Sequence, residues 1–388
     1  MLRHIIIFGA TGSIGTSTLN VIRRNRHHFN VVGIAANTNV EKLAQIAHEF
    51  SVPNVGIFDK HAFAGKGSPF KRGTHFFVGA DGLCELAQLP EATAVSMAMA
   101  GIAGLKPTMV AIESKKTILL ASKEILVTAG KFVMESARTN DVQILPVDSE
   151  HNAIFQCLLG NGNDFIDRLI LTASGGPFGN FSRREMENVS VEQALRHPVW
   201  NMGKKITIDS ATMANKALEI VEAKWLFDVP SDHIDVIVHP ESIVHSMVKF
   251  CDGSIIAQMC PPNMEYPIAN CLFFPERERL AKPSINFVEQ GRLNFFAPDT
   301  TKFPHLAIIR RCLRMDSNAC AVFQAANEVA VDEFLNHRIK FTQISEIVAK
   351  TLDIYPGEPM TSLKSCEESI IKACSVAKSI ANGANGLN

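Results

Sequence analysis

Asp148-Ser149-Glu150 is the stretch whose residue types most plainly ask for a ligand. It lies between a short apolar strand pattern, 142–145, and an apolar helical run, 153–159. Two carboxylates one residue apart repel each other and are most comfortable sharing a hard cation such as Mg²⁺ or Mn²⁺. Their place after a strand suits an open α/β sheet, where ligands bind outside the carboxyl ends of the strands. The competing explanation is a solvated turn whose acids cap the next helix. A second cluster is Asn215-Lys216-x-x-Glu219. On a helix running from about Ser210 or Ala211 to Phe227, these three share one face. An amide, a cation and a carboxylate together can hold a phosphate and give a further metal ligand; the plainer alternative is a surface Lys–Glu pair. Glu222 is also in reach, and spacing does not choose between it and Glu219. Ser174-Gly175-Gly176 exposes a hydroxyl and amides together, either as an anion nest or as an ordinary turn. Ser122-Lys123-Glu124 places a lysine beside a glutamate at another strand end, as a ligand contact or a surface ion pair. Residues 197–203, with His197 and one of only two tryptophans, lack periodicity and read as a loop. That loop is either a lid that excludes water or a segment pinned to the core by Trp200.

The elements that must position these residues begin with an Ile-rich parallel strand at 3–8. Gly9-x-x-Gly12-x-x-Gly15 follows, then a helix with Ile14, Leu19 and Ile22 on one face. Strand, glycine turn and helix form the context in which backbone amides approach a dinucleotide pyrophosphate. The second strand, 31–36, ends in Asn37-Thr38-Asn39, where an NAD enzyme usually has an acid. No carboxylate there repels a 2′-phosphate, so NADP is favoured. Further strands are expected at 55–58, 93–99, 117–121 and 142–147, giving a parallel sheet of six or seven strands, with a helix carrying Leu105, Met109 and Ile112 before Ser114. Beyond residue 150, strands are expected at 168–173, 205–209 and 234–238, and a hairpin at 243–250 and 254–259 turning on Asp252-Gly253. These suggest an α+β region whose exposed edge could serve as a dimer interface. Residues 283–304 read as a linker, and 306–315, 319–335, 344–352 and 363–380 as helices of a small bundle. Asn327-Glu328 is a polar pair within an otherwise apolar helix.

The chain has 388 residues, of which 46% are hydrophobic and 20% charged, so a globular protein of two or three domains is expected. A net charge of −1 offers no broad attraction to nucleic acid or an anionic membrane, so phosphate recognition must be local. Nine cysteines, odd in number and without a Cys-x-x-Cys pair, argue against a disulfide framework or a zinc ribbon. No apolar run reaches the roughly 18–20 residues of a membrane span. With the first strand so close to Met1, a cytoplasmic location is expected.

The order of motifs resembles the 1-deoxy-D-xylulose 5-phosphate reductoisomerase family over nearly the whole chain. The resemblance rests on the glycine turn at 9–15, Ser122-Lys123-Glu124, residues 146–156, the Leu-Thr-Ala-Ser-Gly-Gly-Pro-Phe block at 171–178, residues 197–222 and 239–248. It implies an α/β protein with an N-terminal Rossmann-like parallel sheet for NADPH over 1–149. A catalytic and connective α+β domain at 150–280, a linker at 281–303 and a C-terminal helical bundle at 304–388 would follow. It further implies an NADPH-dependent enzyme using Mg²⁺, Mn²⁺ or Co²⁺, and a homodimer. That enzyme would convert 1-deoxy-D-xylulose 5-phosphate to 2-C-methyl-D-erythritol 4-phosphate, by retro-aldol and aldol rearrangement and hydride transfer, for isoprenoid precursors. By the same resemblance Asp148, Glu150 and Glu219 would be metal ligands, Asn-Lys-x-x-Glu selecting Glu219 over Glu222. Lys123, Glu150 and His197 would be catalytic. The sugar phosphate would meet Lys123, Ser149, Glu150, Ser174, His197, Ser210, Asn215, Lys216 and Glu219. NADPH would meet Thr11, Gly12, Ser13, Ile14, Asn37, Asn39, Ser122, Glu124 and Gly203. Three positions depart from the family's common pattern: Ser122 for Asn, Asn37-Thr38 without a basic residue, and Asn263 for Asp. The rivals are a semialdehyde or homoserine-type dehydrogenase and a non-catalytic NADP sensor. The semialdehyde chemistry needs a cysteine nucleophile, for which Cys157 is the nearest candidate.

Overall fold

The Ile-rich start of the chain forms β1 (Arg3–Phe8), with Ile5, Ile6, Ile7 and Phe8 almost wholly buried. The structure, a computed structural model, describes residues 2–62, 69–200, 202–315 and 317–385. After β1 come α1 (Ser13–Arg24), β2 (Phe29–Ala36), α2 (Val40–Phe50), β3 (Asn54–Ile57), β4 (His75–Val78), α3 (Gly79–Ala87) and β5 (Ala94–Met97). Then follow α4 (Leu105–Glu113), β6 (Thr117–Leu120), α5 (Lys123–Thr139), β7 (Ile144–Pro146) and α6 (Ser149–Leu158). The seven strands make one parallel sheet in the order β4-β3-β2-β1-β5-β6-β7. The order reverses between β1 and β5, which marks the crevice where such sheets bind ligands.

The remainder contains β8 (Ile166–Ala173), α7 (Arg183–Met186), α8 (Val191–Ala194), α9 (Lys204–Ala211), α10 (Ala214–Phe227), β9 (Ile234–Val238), β10 (Val244–Phe250), β11 (Ile255–Met259) and α11 (Glu265–Phe273). Last come α12 (Phe287–Gln290), α13 (His305–Leu313), α14 (Ala319–Leu335), α15 (Gln343–Ile354) and α16 (Leu363–Asn385). A second, four-stranded sheet has the order β11-β10-β8-β9. The β10–β11 hairpin is antiparallel, as its Asp-Gly turn predicts, and β8 pairs β9 in parallel.

By contact the chain divides into two units. The first comprises Met1–Ile125, Val133–Asn152 and Met264–Ala281, and the second Leu126–Phe132, Ala153–Asn263 and Lys282–Asn388. In the first, α11 is tied to the sheet end by Asn152 Nδ2, which donates to Pro146 O and to Asn270 Oδ1 at 3.0 and 3.1 Å. In the second, α14 is buried nearly all round, the signature of a central core helix. The polar pair within it is partly explained: Asn327 Nδ2 donates to the buried Asp209 Oδ1 at 2.7 Å.

Three sequence expectations are corrected. Residues 205–209 are helical, within α9, rather than a strand. Thr207 Oγ1 donates to Gly203 O one turn back, and Lys205 pairs with Asp209 at 2.9 Å across i,i+4. The following helix starts at Ala214, because Met213 adopts a left-handed φ of 63° that breaks the chain between α9 and α10. The helix expected at 153–159 begins earlier, at Ser149. Strand β4 and helix α11 carried no usable pattern.

Candidate active site

In the first unit every expected residue follows the carboxyl end of a parallel strand. Thr11, Gly12, Ser13 and Ile14 lie at the β1–α1 turn, with Gly9 at φ 77°. A side chain at Gly15 would place its Cβ 2.3 Å from Gly9 O and 2.6 Å from Ala10 Cα, so only glycine lets α1 start this close to β1. The turn therefore brings a helix N-terminus and bare backbone together, which fits a pyrophosphate. Asn37 and Asn39 follow β2, and Asn39 caps α2 by accepting from Lys42 N–H at 3.0 Å.

Ser122 caps nothing with its side chain. Its buried hydroxyl donates inward to Met99 O at 2.5 Å, tying the end of β6 to the end of β5 beside the reversal point. Lys123 and Glu124 form the first turn of α5. Lys123 Nζ meets Asp148 Oδ2 at 2.6 Å, with both side chains about one-tenth exposed or less. Asp148 also accepts from Glu150 N–H and lies beside His151 Nδ1, both at 3.1 Å. Because the carboxylate accepts, the buried His151 carries its proton on Nδ1. Asp148 is thus a helix cap after all, but a largely buried one fixed by an ammonium and an imidazole rather than a solvated turn. Ser149 Oγ donates to Glu150 Oε2 at 2.5 Å.

In the second unit the Ser174-Gly175-Gly176 turn leaves the end of β8 with φ of 84° and 63° at its two glycines. Gly176 N–H donates to Ser174 Oγ at 3.2 Å, and a Cβ on Gly176 would lie 3.0 Å from Ser210 O, so the turn packs directly on the end of α9. His197 Nε2 stands 2.9 Å from Ser174 Oγ. His197 Nδ1 accepts from Val199 and Trp200 N–H at 3.1 and 2.8 Å, so Nε2 holds the proton and faces Ser174 as a donor. Burial pushes the His197 pKa down and favours the neutral ring. On α10, Asn215 Nδ2 donates to Glu219 Oε1 at 2.5 Å and Lys216 pairs with Glu219 Oε2. Lys216 is 4% exposed and Glu219 0%, so this is a buried ion pair rather than a surface one. Glu222, one turn on, is equally buried. Ser210 lies in the last turn of α9, and Gly203 is its exposed N-cap. Residues 197–203 are irregular as expected, although Asn201 lies outside the described residues; Trp200 is half-buried, edge-on to His245 at 6.1 Å.

The chemistry available is therefore oxygen-rich and acidic in both units, with each carboxylate cluster anchored by a lysine. Such a donor set suits a hard divalent cation. Cys157 is no nucleophile: burial pushes its thiol up to about 11. Two residues escaped sequence reasoning. His151 was hidden inside a motif read only for its acids. Lys42, whose Nζ reaches back to Thr11 O at 2.8 Å and Thr16 Oγ1 at 3.2 Å, takes no part in any sequence motif, though its i+3 spacing from Asn39 is a usable signal.

Three family models match the chain. That described as 1-deoxy-D-xylulose 5-phosphate reductoisomerase covers residues 5–130, and two describing C-terminal domains of the same enzyme cover 144–227 and 259–380. The 1-deoxy-D-xylulose 5-phosphate reductoisomerase of Thermoanaerobacter pseudethanolicus is 46% identical over 354 residues, 90% of this chain and 92% of its own length. That of Clostridium novyi is 43% identical over 99% of this chain and all of its own. The solved reductoisomerase of Zymomonas mobilis in complex with NADPH superposes with a TM-score of 0.89 at 40% identity, covering 98% of this chain and 99% of its own. A second solved reductoisomerase, in complex with NADPH, fosmidomycin and magnesium, also reaches 0.89, at 38% identity and 100% and 99% coverage.

Proposed function

The chain belongs to the 1-deoxy-D-xylulose 5-phosphate reductoisomerase family, and from that premise we propose how its residues divide the work. It is an NADPH- and divalent-metal-dependent reductoisomerase that converts 1-deoxy-D-xylulose 5-phosphate to 2-C-methyl-D-erythritol 4-phosphate for isoprenoid precursor synthesis. Asp148, Glu150 and Glu219 hold the cation. When bound, that cation supplies Lewis-acid polarisation of the substrate carbonyl and the neighbouring hydroxyl. The observation that carries the assignment is the wholly buried Glu219 carboxylate, braced by Asn215 and Lys216. A charge is tolerated that deep only where it is partnered, and a bound cation would complete the partnership that Asn215 and Lys216 begin.

The protein's own contributions are positional. Lys123 and His151 fix Asp148, and Ser149 fixes Glu150, so these oxygens are preorganised before substrate arrives. Lys123, Ser149 and Glu150 meet the sugar backbone. Ser174, Ser210, Asn215 and Lys216 take the phosphate, with the His197 Nε2 proton directed into the same group. Phosphate binding remote from the reacting carbons supplies energy for orientation, and closure of residues 197–203 excludes water. Thr11, Gly12, Ser13, Ile14, Asn37, Asn39, Ser122, Glu124 and Gly203 bind NADPH. By function, 1–149 is the NADPH-binding domain, 150–280 the catalytic and connective one, 281–303 a linker and 304–388 the helical domain.

The enzyme acts as a homodimer in the cytoplasm; no helix among the described residues is long and apolar enough to cross a membrane. The decisive assay follows NADPH absorbance with 1-deoxy-D-xylulose 5-phosphate and Mn²⁺. Oxidation is expected to require both and to stop with EDTA. Folded, metal-loaded protein that oxidises no NADPH would overturn the reading.

A further inference from the structure

The end of β2 carries Asn37-Thr38-Asn39, with no basic residue to meet the 2′-phosphate that distinguishes NADPH from NADH. We propose that Lys42 supplies that charge and sets the cofactor preference, an inference that rests on the NADPH reading above. Lys42 sits in the first turn of α2, where a cation opposes the helix dipole, so helix energetics alone do not account for it. Its ammonium instead crosses to the glycine turn, donating to Thr11 O at 2.8 Å and Thr16 Oγ1 at 3.2 Å. In a parallel α/β sheet the pyrophosphate lies over the glycine turn and the adenosine ribose over the end of the second strand. Lys42 is rooted beside the second position and reaches the first, so its charge stands where a 2′-phosphate arrives.

Two acceptors hold the ammonium, which has three hydrogens, and the third is left for a ligand oxygen. Anchoring also removes the rotamer freedom that a lone surface lysine would lose on binding. The Asn39-capped N-terminus of α2 adds positive potential to the same spot. Among the neighbouring acids, Glu41 is exposed, and Asp59, whose N–H donates to Asn37 O at 3.2 Å, turns its Oδ1 to His61 N–H at 2.9 Å. Lys42 thus does from the helix what a base at 37–38 would do from the loop.

The alternative is a brace that merely holds the turn, and cofactor binding separates the two. Dissociation constants for NADPH and NADH are measured by nicotinamide fluorescence on the full chain, for the unaltered protein, Lys42→Gln and Lys42→Arg, with thermal unfolding curves as a check on folding. Lys42→Gln is expected to weaken NADPH roughly 10–100-fold and NADH by less than about threefold, and Lys42→Arg to keep most of the preference. Equal weakening of both cofactors by Lys42→Gln, or an unchanged preference, overturns the proposal. An unaltered chain that binds NADPH no better than NADH overturns the cofactor reading itself, and Lys42's role with it.

Discussion

At the scale of single residues, Glu219 bears the strongest demands. Its carboxylate is buried with Lys216 and Asn215 as partners, and a buried charge is tolerated only when paired. Glu219→Gln preserves shape and removes the charge. Turnover should fall by more than roughly 100-fold and Mn²⁺ affinity with it, while NADPH binding stays within about threefold. Steady-state rates alongside metal and cofactor titrations read this directly, and near-normal turnover would sink the metal assignment. Lys216→Ala is a different experiment. It removes the proposed phosphate contact and also strands a buried carboxylate, a loss of about 3–5 kcal/mol in such pairs. The Michaelis constant for the sugar phosphate should rise at least about tenfold, more than kcat falls, together with a lower unfolding midpoint. A lower midpoint with an unchanged Michaelis constant would leave Lys216 a structural residue only. The motif residues were legible because their chemistry is local to short stretches. Lys42 and His151 were not, because what matters about each is where its side chain goes once α2 and α6 are in place.

At the scale of elements, legibility followed burial pattern. Strands β1 and β2, the β10–β11 hairpin and α14 show plainly because one period or one turn signal dominates each. Helix α9 was misread because Lys205-Ile-Thr-Ile-Asp alternates like a strand with β-branched residues, and tertiary context overrode that pattern. Its Asp209 is drawn into the core by Asn327 and its end is locked under Gly176, arrangements no local window contains. Strand β4 was missed for a different reason: it is a mostly exposed sheet edge whose apolar run, Phe76-Phe77-Val78, is only three residues long. The junction between α9 and α10 makes its own prediction. His305, at the start of α13, is buried with its Nδ1 3.1 Å from Thr212 O, and burial lowers its pKa to about 4, with Asp209 and that carbonyl pulling weakly the other way. The unfolded chain takes up this proton below about pH 6.5, whereas the folded one resists until about 4. Stability should therefore be intact above pH 6.5 and fall as pH drops through that window, by roughly 3 kcal/mol in all. Denaturant unfolding from pH 7 to 4 on the native chain and His305→Asn tests it, the variant being expected to show a shallower dependence. Parallel curves would mean the acid sensitivity arises elsewhere.

At the scale of the whole molecule, the second sheet is where the proposed homodimer must be argued. One edge is already blunted: Phe296 bridges Val238 of β9, each N–H donating to the other's carbonyl at 2.8 and 2.9 Å. The other edge is β11, which pairs only with β10 among the described residues. Its sequence, Ile-Ile-Ala-Gln-Met, holds no lysine, proline or other device that discourages pairing, and Ile255 and Ile256 are 52% and 38% exposed. Successive strand residues point to opposite faces, so apolar surface is left open on both faces and along the edge. Phe165, Phe287 and Phe296 of the same unit add further exposed aromatic surface. A strand edge this apolar would be an aggregation site unless covered, and a second copy covers it with identical chemistry through a two-fold. Replacing Ile256 by lysine puts a charge on that edge without touching any proposed ligand. Light scattering after size exclusion should then move from twice the chain mass to the chain mass, with the helical signal in circular dichroism retained. NADPH affinity should be unchanged, since every proposed cofactor contact belongs to one chain. A dimer that survives the charge would place the interface elsewhere, and an unaltered chain that is already monomeric at micromolar concentration would remove it.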